Sequence, residues 1–194
     1  AITTKPSGLS GSAMTLIKEQ TASSSSTISF VNGTSDVVLD NTYLIYVFKF
    51  INMHPATDDQ SFTFQGSTNT GSSYGVNITS TSFRSYNQEN DGGSGLGYLT
   101  GYDLAQSTSF QRLGQTVGNA NDESISGELF IFNPSSTTFA KHFMARNAHA
   151  GYADYAGDGF TAGYFNTTSA IDAIQFKFDS GNIDAGTIKL YGIS

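Results

Sequence analysis

Three histidines are the residues of this chain best suited to acid–base chemistry or metal ligation near neutral pH. His54 precedes Pro55 in an expected turn, which isolates it from other titratable side chains. His142 and His149 are seven residues apart, so they point to opposite faces of a strand if that strand is regular. No two histidines are therefore placed to act together, and we predict surface or hydrogen-bonded roles for all three.

The carboxylates do not form a pattern that is typical of catalysis. A glycosidase needs two carboxylates that flank a groove, yet no two of the four glutamates have i, i+2 spacing on an expected strand. The Gly-rich segment "GGSGLG" at residues 92–97 lacks the strand-to-helix context of a serine nucleophile elbow and the Lys-Ser/Thr end of a phosphate loop. We predict that the chain is not an enzyme and has no catalytic residues and no cofactor. The glutamates are Glu19, Glu89, Glu123 and Glu128.

Oxygen ligands that suit calcium are found in three polar segments, "NQENDGG", "DYAGDG" and "DSGNIDAG". None has the spacing of an EF-hand, and Asp, Asn and Gly are also the residues that tight turns require. A structural calcium ion therefore remains an alternative, and no metal-binding residue is assigned.

Four tyrosines lie in Gly-rich, polar surroundings that are typical of loops: Tyr98, Tyr102, Tyr152 and Tyr155. A tyrosine ring can stack on a sugar, and its apolar body with a polar tip also suits subunit interfaces. These four residues are the candidates for contact with a glycan or with a protein partner, and both alternatives stay open.

Composition excludes several classes of partner. The net charge of the chain is −7, and its nine basic residues are scattered singly, which is unlike a nucleic-acid-binding surface. The chain has no cysteine, so it has no disulfides and no thiolate metal site. Its longest apolar run, residues 43–48, is far shorter than the roughly 20 residues of a membrane-spanning helix, so no membrane span is predicted.

Short runs of alternating apolar residues with turn signals between them predict an all-β fold, an antiparallel β-sandwich of jelly-roll type. Residues 1–12 are expected to form an extended N-terminal arm, and residues 13–194 a single domain. Both faces of the strand expected within residues 43–53 are apolar, which indicates a central strand under a second layer or against another subunit.

Other segments carry more specific expectations. We predict that Pro55 breaks the preceding strand, and that a bulge lies near Ser80, where the alternation changes phase. Residues 87–101 are predicted to form a long exposed loop. Residues 148–168 are expected to be a loop that leads into a short strand at 160–165.

The segment "DSGNIDAG" at residues 179–186 is predicted to be a double turn between two strands. Gly181, Asn182 and Gly186 can take the positive φ values of such a turn. Ile183 is an apolar residue in a polar segment, and leaving it in water would forgo roughly 1.5–3 kcal/mol. We therefore expect Ile183 to pack into the core.

The C-terminal segment "IDAIQFKFDSGNIDAGTIKLYGIS" resembles a recurrent C-terminal pattern of structural proteins from tailed phages, particularly marine and cyanobacterial phages. The segments "YLIYVFKFINMHPATDDQSFTFQ" and "GSSYGVNITSTSFRSYNQEND" are similar to other parts of the same proteins. The resemblance implies a virion protein of β-sandwich type, either a head-decoration protein or a tail appendage. It identifies no functional residues that can be carried over to this chain.

From this resemblance we expect a non-enzymatic capsid decoration or knob protein that forms a homo-oligomer, a trimer by resemblance, on the particle surface. Its expected partners are the major capsid protein or a tail component, and its expected location is the virion. The alternative is a tail-fibre, receptor-binding or carbohydrate-binding module that binds a glycan on the host surface.

Overall fold

The computed structural model describes residues 13–194, and every regular element in this part of the chain is a β-strand. The arm predicted for residues 1–12 lies outside the described residues. The strands are β1 (Met14–Thr21), β2 (Ile28–Val31), β3 (Ile45–Pro55), β4 (Gln60–Ser67), β5 (Ile78–Gln88), β6 (Ser94–Tyr98), β7 (Gln111–Val117), β8 (Ile125–Phe132), β9 (Lys141–Gly151), β10 (Tyr155–Phe165), β11 (Ala173–Phe178) and β12 (Ile183–Ile193).

All neighbouring strands pair antiparallel. Eight strands lie side by side in the order β1-β12-β3-β8-β9-β10-β5-β6, which we call the large segment. The small segment, β7-β4-β11-β2, joins it through one bridge between Val117 and Gly151. The resulting sheet is continuous and nearly barrel-shaped. The prediction of an all-β antiparallel fold is confirmed, whereas a jelly-roll sandwich is not confirmed.

Phenylalanine rings from the two segments pack against each other to form the core. Phe48 in β3 lies 5.2 Å from Phe30 in β2 and 5.3 Å from Phe176 in β11, measured between ring centroids. Phe64 in β4 lies 5.1 Å from Phe143 in β9. All five side chains are buried, and each contributes roughly 1.5–3 kcal/mol by leaving water. These contacts hold the small segment over the inner face of the large one.

The strand predicted within residues 43–53 is central, as its two apolar faces indicated. It is β3, which lies between β12 and β8. Phe48 and Phe50 point into the core, and Val47 on the opposite face is also fully buried. Pro55 does not interrupt the strand but is its last residue, opposite Ile183.

The bulge predicted near Ser80 is absent, because β5 pairs with β10 from Ile78 to Gln88 without a shift in register. The inner face of β5 changes from Ile78 to the small polar residues Ser80 and Ser82, and its outer face carries Phe83. The alternation of apolar and polar residues changes phase in the sequence because the apolar residues of β5 move from its inner face to its outer face, while the strand itself stays regular.

Two segments predicted wholly or mainly as loops are hairpins, although the strand predicted at 160–165 is the second half of β10. Residues 87–101 include the end of β5 and all of β6, and residues 148–168 include the end of β9 and all of β10. The glycines of β10 are typical of a loop, because glycine is usually depleted in strands. Here it permits close packing, because a Cβ atom at Gly159 would lie 2.8 Å from the Asn147 amide nitrogen.

The closing loop between β11 and β12 follows the prediction only in part, because residues 183–186 of the predicted double turn belong to β12. Ile183 is fully buried and belongs to the core cluster, and its backbone N–H donates to the carbonyl of Ser25 at 2.7 Å. Gly181 and Gly186 take φ values of 72° and 120°, whereas Asn182 does not take positive φ. The loop therefore turns the chain and anchors it to the core.

Candidate binding surfaces

One row of outward-facing side chains crosses all eight strands of the large segment. Strand register places each member directly opposite the next. Side chains at opposed positions of neighbouring strands lie close enough to interact. The row therefore forms a continuous outer ridge, which we call the transverse row. Its members, in order across the sheet, are Glu19, Lys189, Lys49, Glu128, Arg146, Phe160, Phe83 and Tyr98.

The central part of the transverse row is charged. Lys49 Nζ lies 3.6 Å from Glu128 Oε2. Arg146 donates two hydrogen bonds to Asp158, from Nη2 to Oδ2 at 2.9 Å and from Nε to Oδ1 at 3.2 Å. These bonds to the carboxylate raise the pKa of Arg146. Lys49, Glu128 and Arg146 therefore alternate in sign along the row, and Asp158 lies beside Arg146.

The next part of the row is aromatic. The rings of Phe83 and Phe160 are stacked with centroids 4.8 Å apart and an angle of 6° between their planes. The Arg146 guanidinium lies 4.9 Å from the Phe160 centroid. Both faces of Phe160 are thus covered, by Phe83 and by the Arg146 guanidinium. Phe83 itself is 41% exposed.

Two hollows flank this aromatic and charged stretch. One, of about 810 Å³, is lined in part by small side chains that include Ala148 and Ala156. The other, of about 370 Å³, is lined by apolar groups that include Phe130 and Met144, and Met144 is 50% exposed. An exposed apolar area of this kind on a folded protein is typical of an interaction surface.

The structure does not bring the four predicted tyrosines together. Tyr98 is exposed at the end of β6 and Tyr152 is exposed in the turn between β9 and β10. Tyr102 is half-buried in the loop that precedes β7. The loop position predicted for Tyr155 is wrong: it begins β10, only 7% of its surface is exposed, and its hydroxyl group is hydrogen-bonded to Thr116.

Tyr102 lines a separate cleft of about 400 Å³ on the outer side of the small segment, which we call the basic cleft. The Arg112 guanidinium lies 4.7 Å from the centroid of the Tyr102 ring, and Arg112 Nη2 is 3.0 Å from Asp179 Oδ2. Lys177 Nζ lies 4.5 Å from the centroid of the Phe110 ring. Two cations thus each contact an aromatic ring in one concave site.

Buried amide side chains hold the loop that forms one wall of the basic cleft. Gln111 Nε2 donates to the carbonyl of Tyr102 at 2.8 Å. Gln65 Nε2 lies 3.1 Å from the carbonyl oxygen of Thr108 and 2.9 Å from that of Ser109. Gln65 and Gln111 are fully buried. Because buried amides that lose their partners cost free energy, these bonds keep the loop in place.

The two histidines of β9 face opposite sides of the sheet, as the sequence predicted. His142 is exposed and His149 is buried. His149 Nδ1 lies 3.2 Å from Asn147 Oδ1, and its Nε2 has no hydrogen-bond partner. Burial, with a further contribution from the charge of Arg84, lowers the pKa of His149 to about 4. His149 is therefore neutral at pH 7, and sequence reasoning missed its burial.

Within residues 13–194, no group of three or more His, Asp or Glu side chains is arranged to hold a metal ion. The two aspartates of "DYAGDG" separate, since Asp154 lies in the turn before β10 and Asp158 pairs with Arg146. The described residues also contain no helix that is long and apolar enough to cross a membrane.

Comparisons with family models, with curated proteins and with solved structures found no match to this chain.

Proposed function

We propose that the chain is a non-enzymatic structural protein of a virus particle, a capsid decoration protein that assembles into an oligomer through the outer face of its large segment. The resemblance of residues 171–194 to phage structural proteins supports the virion location. The observation that carries the assembly role is the transverse row, which combines exposed aromatic groups with charges of both signs.

The apolar part of this face favours burial against a protein. Phe83 and Met144 are each about half exposed, and Leu96 on β6 is more exposed still. Burying such groups stabilises an interface by roughly 25 cal/mol for each Å² of apolar surface removed from water. The ring faces of Phe160 are already covered, so this surface is less suited to stacking on a sugar than to packing against side chains.

The charged part of the face favours a second copy of this chain as the occupant. Lys49, Glu128 and Arg146 alternate in sign along the row, and Asp158 beside Arg146 brings the net charge of these four residues to zero. A copy related by two-fold symmetry runs the same row in the opposite direction, so Lys49 of one copy can lie against Glu128 of the other, and Glu128 against Lys49. A uniformly charged partner could not match this pattern. The resemblance implies a trimer, whereas this self-complementarity favours a two-fold contact.

We expect Phe83→Asp to weaken self-association by roughly 30-fold or more, the effect typical of losing an aromatic hot spot of about 2 kcal/mol. Analytical ultracentrifugation of the full chain over a concentration series measures this effect. Phe139→Asp is the matched control, because Phe139 is 68% exposed but lies outside the transverse row. A wild-type chain that stays monomeric at all concentrations would contradict the proposal.

The virion location is tested by mass spectrometry of purified particles. A copy number close to that of the major capsid protein is expected for a decoration protein. A copy number in the range of tail proteins would favour the tail appendage instead. Absence of the chain from particles would overturn both.

We also infer that the large and small segments are the two layers of a jelly-roll-type sandwich. The ring contacts between β3 and β11, and between β4 and β9, support this assignment. In this arrangement the outer face of the large segment is free for assembly, while the basic cleft lies on the other layer.

Carbohydrate binding is the second candidate function, and the basic cleft is the observation that favours it. The cleft has a volume within the range of small-molecule sites, and its wall is held by buried amides before any ligand arrives. A glycan array with the full chain tests this function, and no bound saccharide at millimolar concentration would count against it.

A further inference from the structure

We propose that the basic cleft binds a saccharide that carries a carboxylate or sulfate group, with Lys177 as the residue that recognises the anion. This inference deepens the carbohydrate-binding function proposed above and is independent of assembly through the transverse row. It assigns a ligand class to a site on the small segment.

The position of the two cations results from strand register. Arg112 in β7 lies opposite Thr63 in β4, and Thr63 lies opposite Lys177 in β11. Antiparallel neighbours are about 4.8 Å apart, so the backbones of Arg112 and Lys177 are separated by about two strand spacings. This distance places a cation on each side of a ligand about the size of one sugar ring.

Charge distinguishes Lys177 from the other cation of the cleft. Arg112 is already paired with Asp179. Lys177 makes no ion pair with any carboxylate of the described residues, and its ammonium group contacts the Phe110 ring. In a chain of net charge −7, an unpaired cation in a concave site is suited to an incoming anion.

The remaining groups favour a saccharide over a simple anion. Asp179 contributes a carboxylate that can accept hydrogen bonds from sugar hydroxyl groups, which inorganic sulfate lacks. Tyr102 and Phe110 contribute aromatic surface to the walls of the cleft. The Tyr102 wall is already ordered by its bond from Gln111, which reduces the entropy cost of binding.

The test is an NMR titration of the backbone amide resonances of the full chain with three matched sugars: galacturonic acid, galactose 6-sulfate and neutral galactose. Inorganic sulfate is a fourth probe. We expect both acidic sugars, and neither of the other two probes, to shift resonances of residues 101–112 and 177–179 at millimolar concentration. Which acidic sugar binds more tightly distinguishes a carboxylate from a sulfate ligand.

Substitution of Lys177 tests whether this residue binds the anionic group of the saccharide. Lys177→Met keeps the aliphatic stem on Phe110 and removes the charge, so affinity for the acidic sugars should fall by roughly tenfold or more. Lys177→Arg should restore binding. Lys18→Met is the matched control, because Lys18 lies in β1, outside both the basic cleft and the transverse row, and removing its charge should leave binding unchanged.

Each contrary outcome overturns a different part of the proposal. Equal binding of galactose, unaffected by Lys177→Met, would overturn the acidic ligand class and leave carbohydrate binding intact. Equal binding of inorganic sulfate would show a general anion site and overturn the saccharide assignment. If none of the four probes shifts the resonances of the cleft residues, the site itself is overturned. The glycan array would still decide the broader function.

Discussion

Replacing Ile183 with Asp is expected to destabilise the fold by more than about 4 kcal/mol, a loss that unfolds many domains of this size. Ile183 is fully buried in the core cluster, and its backbone pairs with Ser25 in both directions. The substitution removes an apolar side chain from the core and puts a carboxylate into the hydrophobic cluster. The closing loop would then lose its anchor, and β12 would separate from Pro55 at the end of β3.

Urea or thermal unfolding followed by circular dichroism measures this effect. Ala185→Asp is the matched control, because Ala185 is exposed two residues beyond Ile183 in β12 and receives the same added charge. Its stability should stay within about 0.5 kcal/mol of the wild type. Equal stabilities of the Ile183→Asp and Ala185→Asp variants would show that the loop is not anchored through Ile183.

The second large effect is a loss of stability in mild acid that depends on His149. Its pKa is about 4 in the folded protein, against an ordinary value of 6.5. The unfolded chain therefore binds a proton more readily than the folded chain between these values. The contribution of neutral His149 to stability is fully present above pH 6.5 and is lost as the pH falls towards 4. The difference between the two pKa values corresponds to roughly 3 kcal/mol.

The physical cause is burial beside a cation. The imidazole ring lies on the inner face of β9 against Gly157, and the charge of Arg84 further disfavours protonation. Asp158 acts in the opposite direction, but its effect is the smallest of the three. Protonation would leave a charged ring whose Nε2 has no hydrogen-bond acceptor.

Urea midpoints measured between pH 7.5 and pH 4.5 test this prediction. His149→Gln cannot be protonated, so the midpoint of this variant should fall much less over that range than the wild-type midpoint. His142→Gln is the control, since His142 is exposed on the same strand and should leave the wild-type pH dependence intact. The same pH dependence in wild type and His149→Gln would contradict the assignment.

Much of the fold was predictable because local pattern and burial agree in many strands. Phe62 and Phe64 alternate as the sequence indicated and are fully buried, and the two-sided apolar strand is central. Ile183 was predictable as a core residue because a single isoleucine among polar residues gains free energy by leaving water. These predictions rest on the hydrophobic effect acting on neighbouring residues along one strand.

The incorrect predictions concern segments in which tertiary packing overrides the usual secondary-structure preference of a residue. β10 contains glycines because Gly157 and Gly159 lie against His149 and Asn147, and these contacts come from another strand. The same Gly-rich surroundings predict a surface position for Tyr155, whereas the structure buries it. Because glycine usually weakens a strand, only knowledge of its neighbours in space could have identified this segment as β-structure.

The amino-acid sequence by itself determined the all-β class, most of the buried phenylalanines and the anchoring of the closing loop, since these depend on patterns within single strands. Only the tertiary structure decided which outward side chains meet. The transverse row begins with Glu19 in β1 and ends with Tyr98 in β6, and Lys189 beside Glu19 comes from the other end of the chain. The basic cleft likewise joins Arg112 to Lys177 through Thr63. Strand order and register bring these residues together, and both are set by non-local pairing that local sequence does not encode.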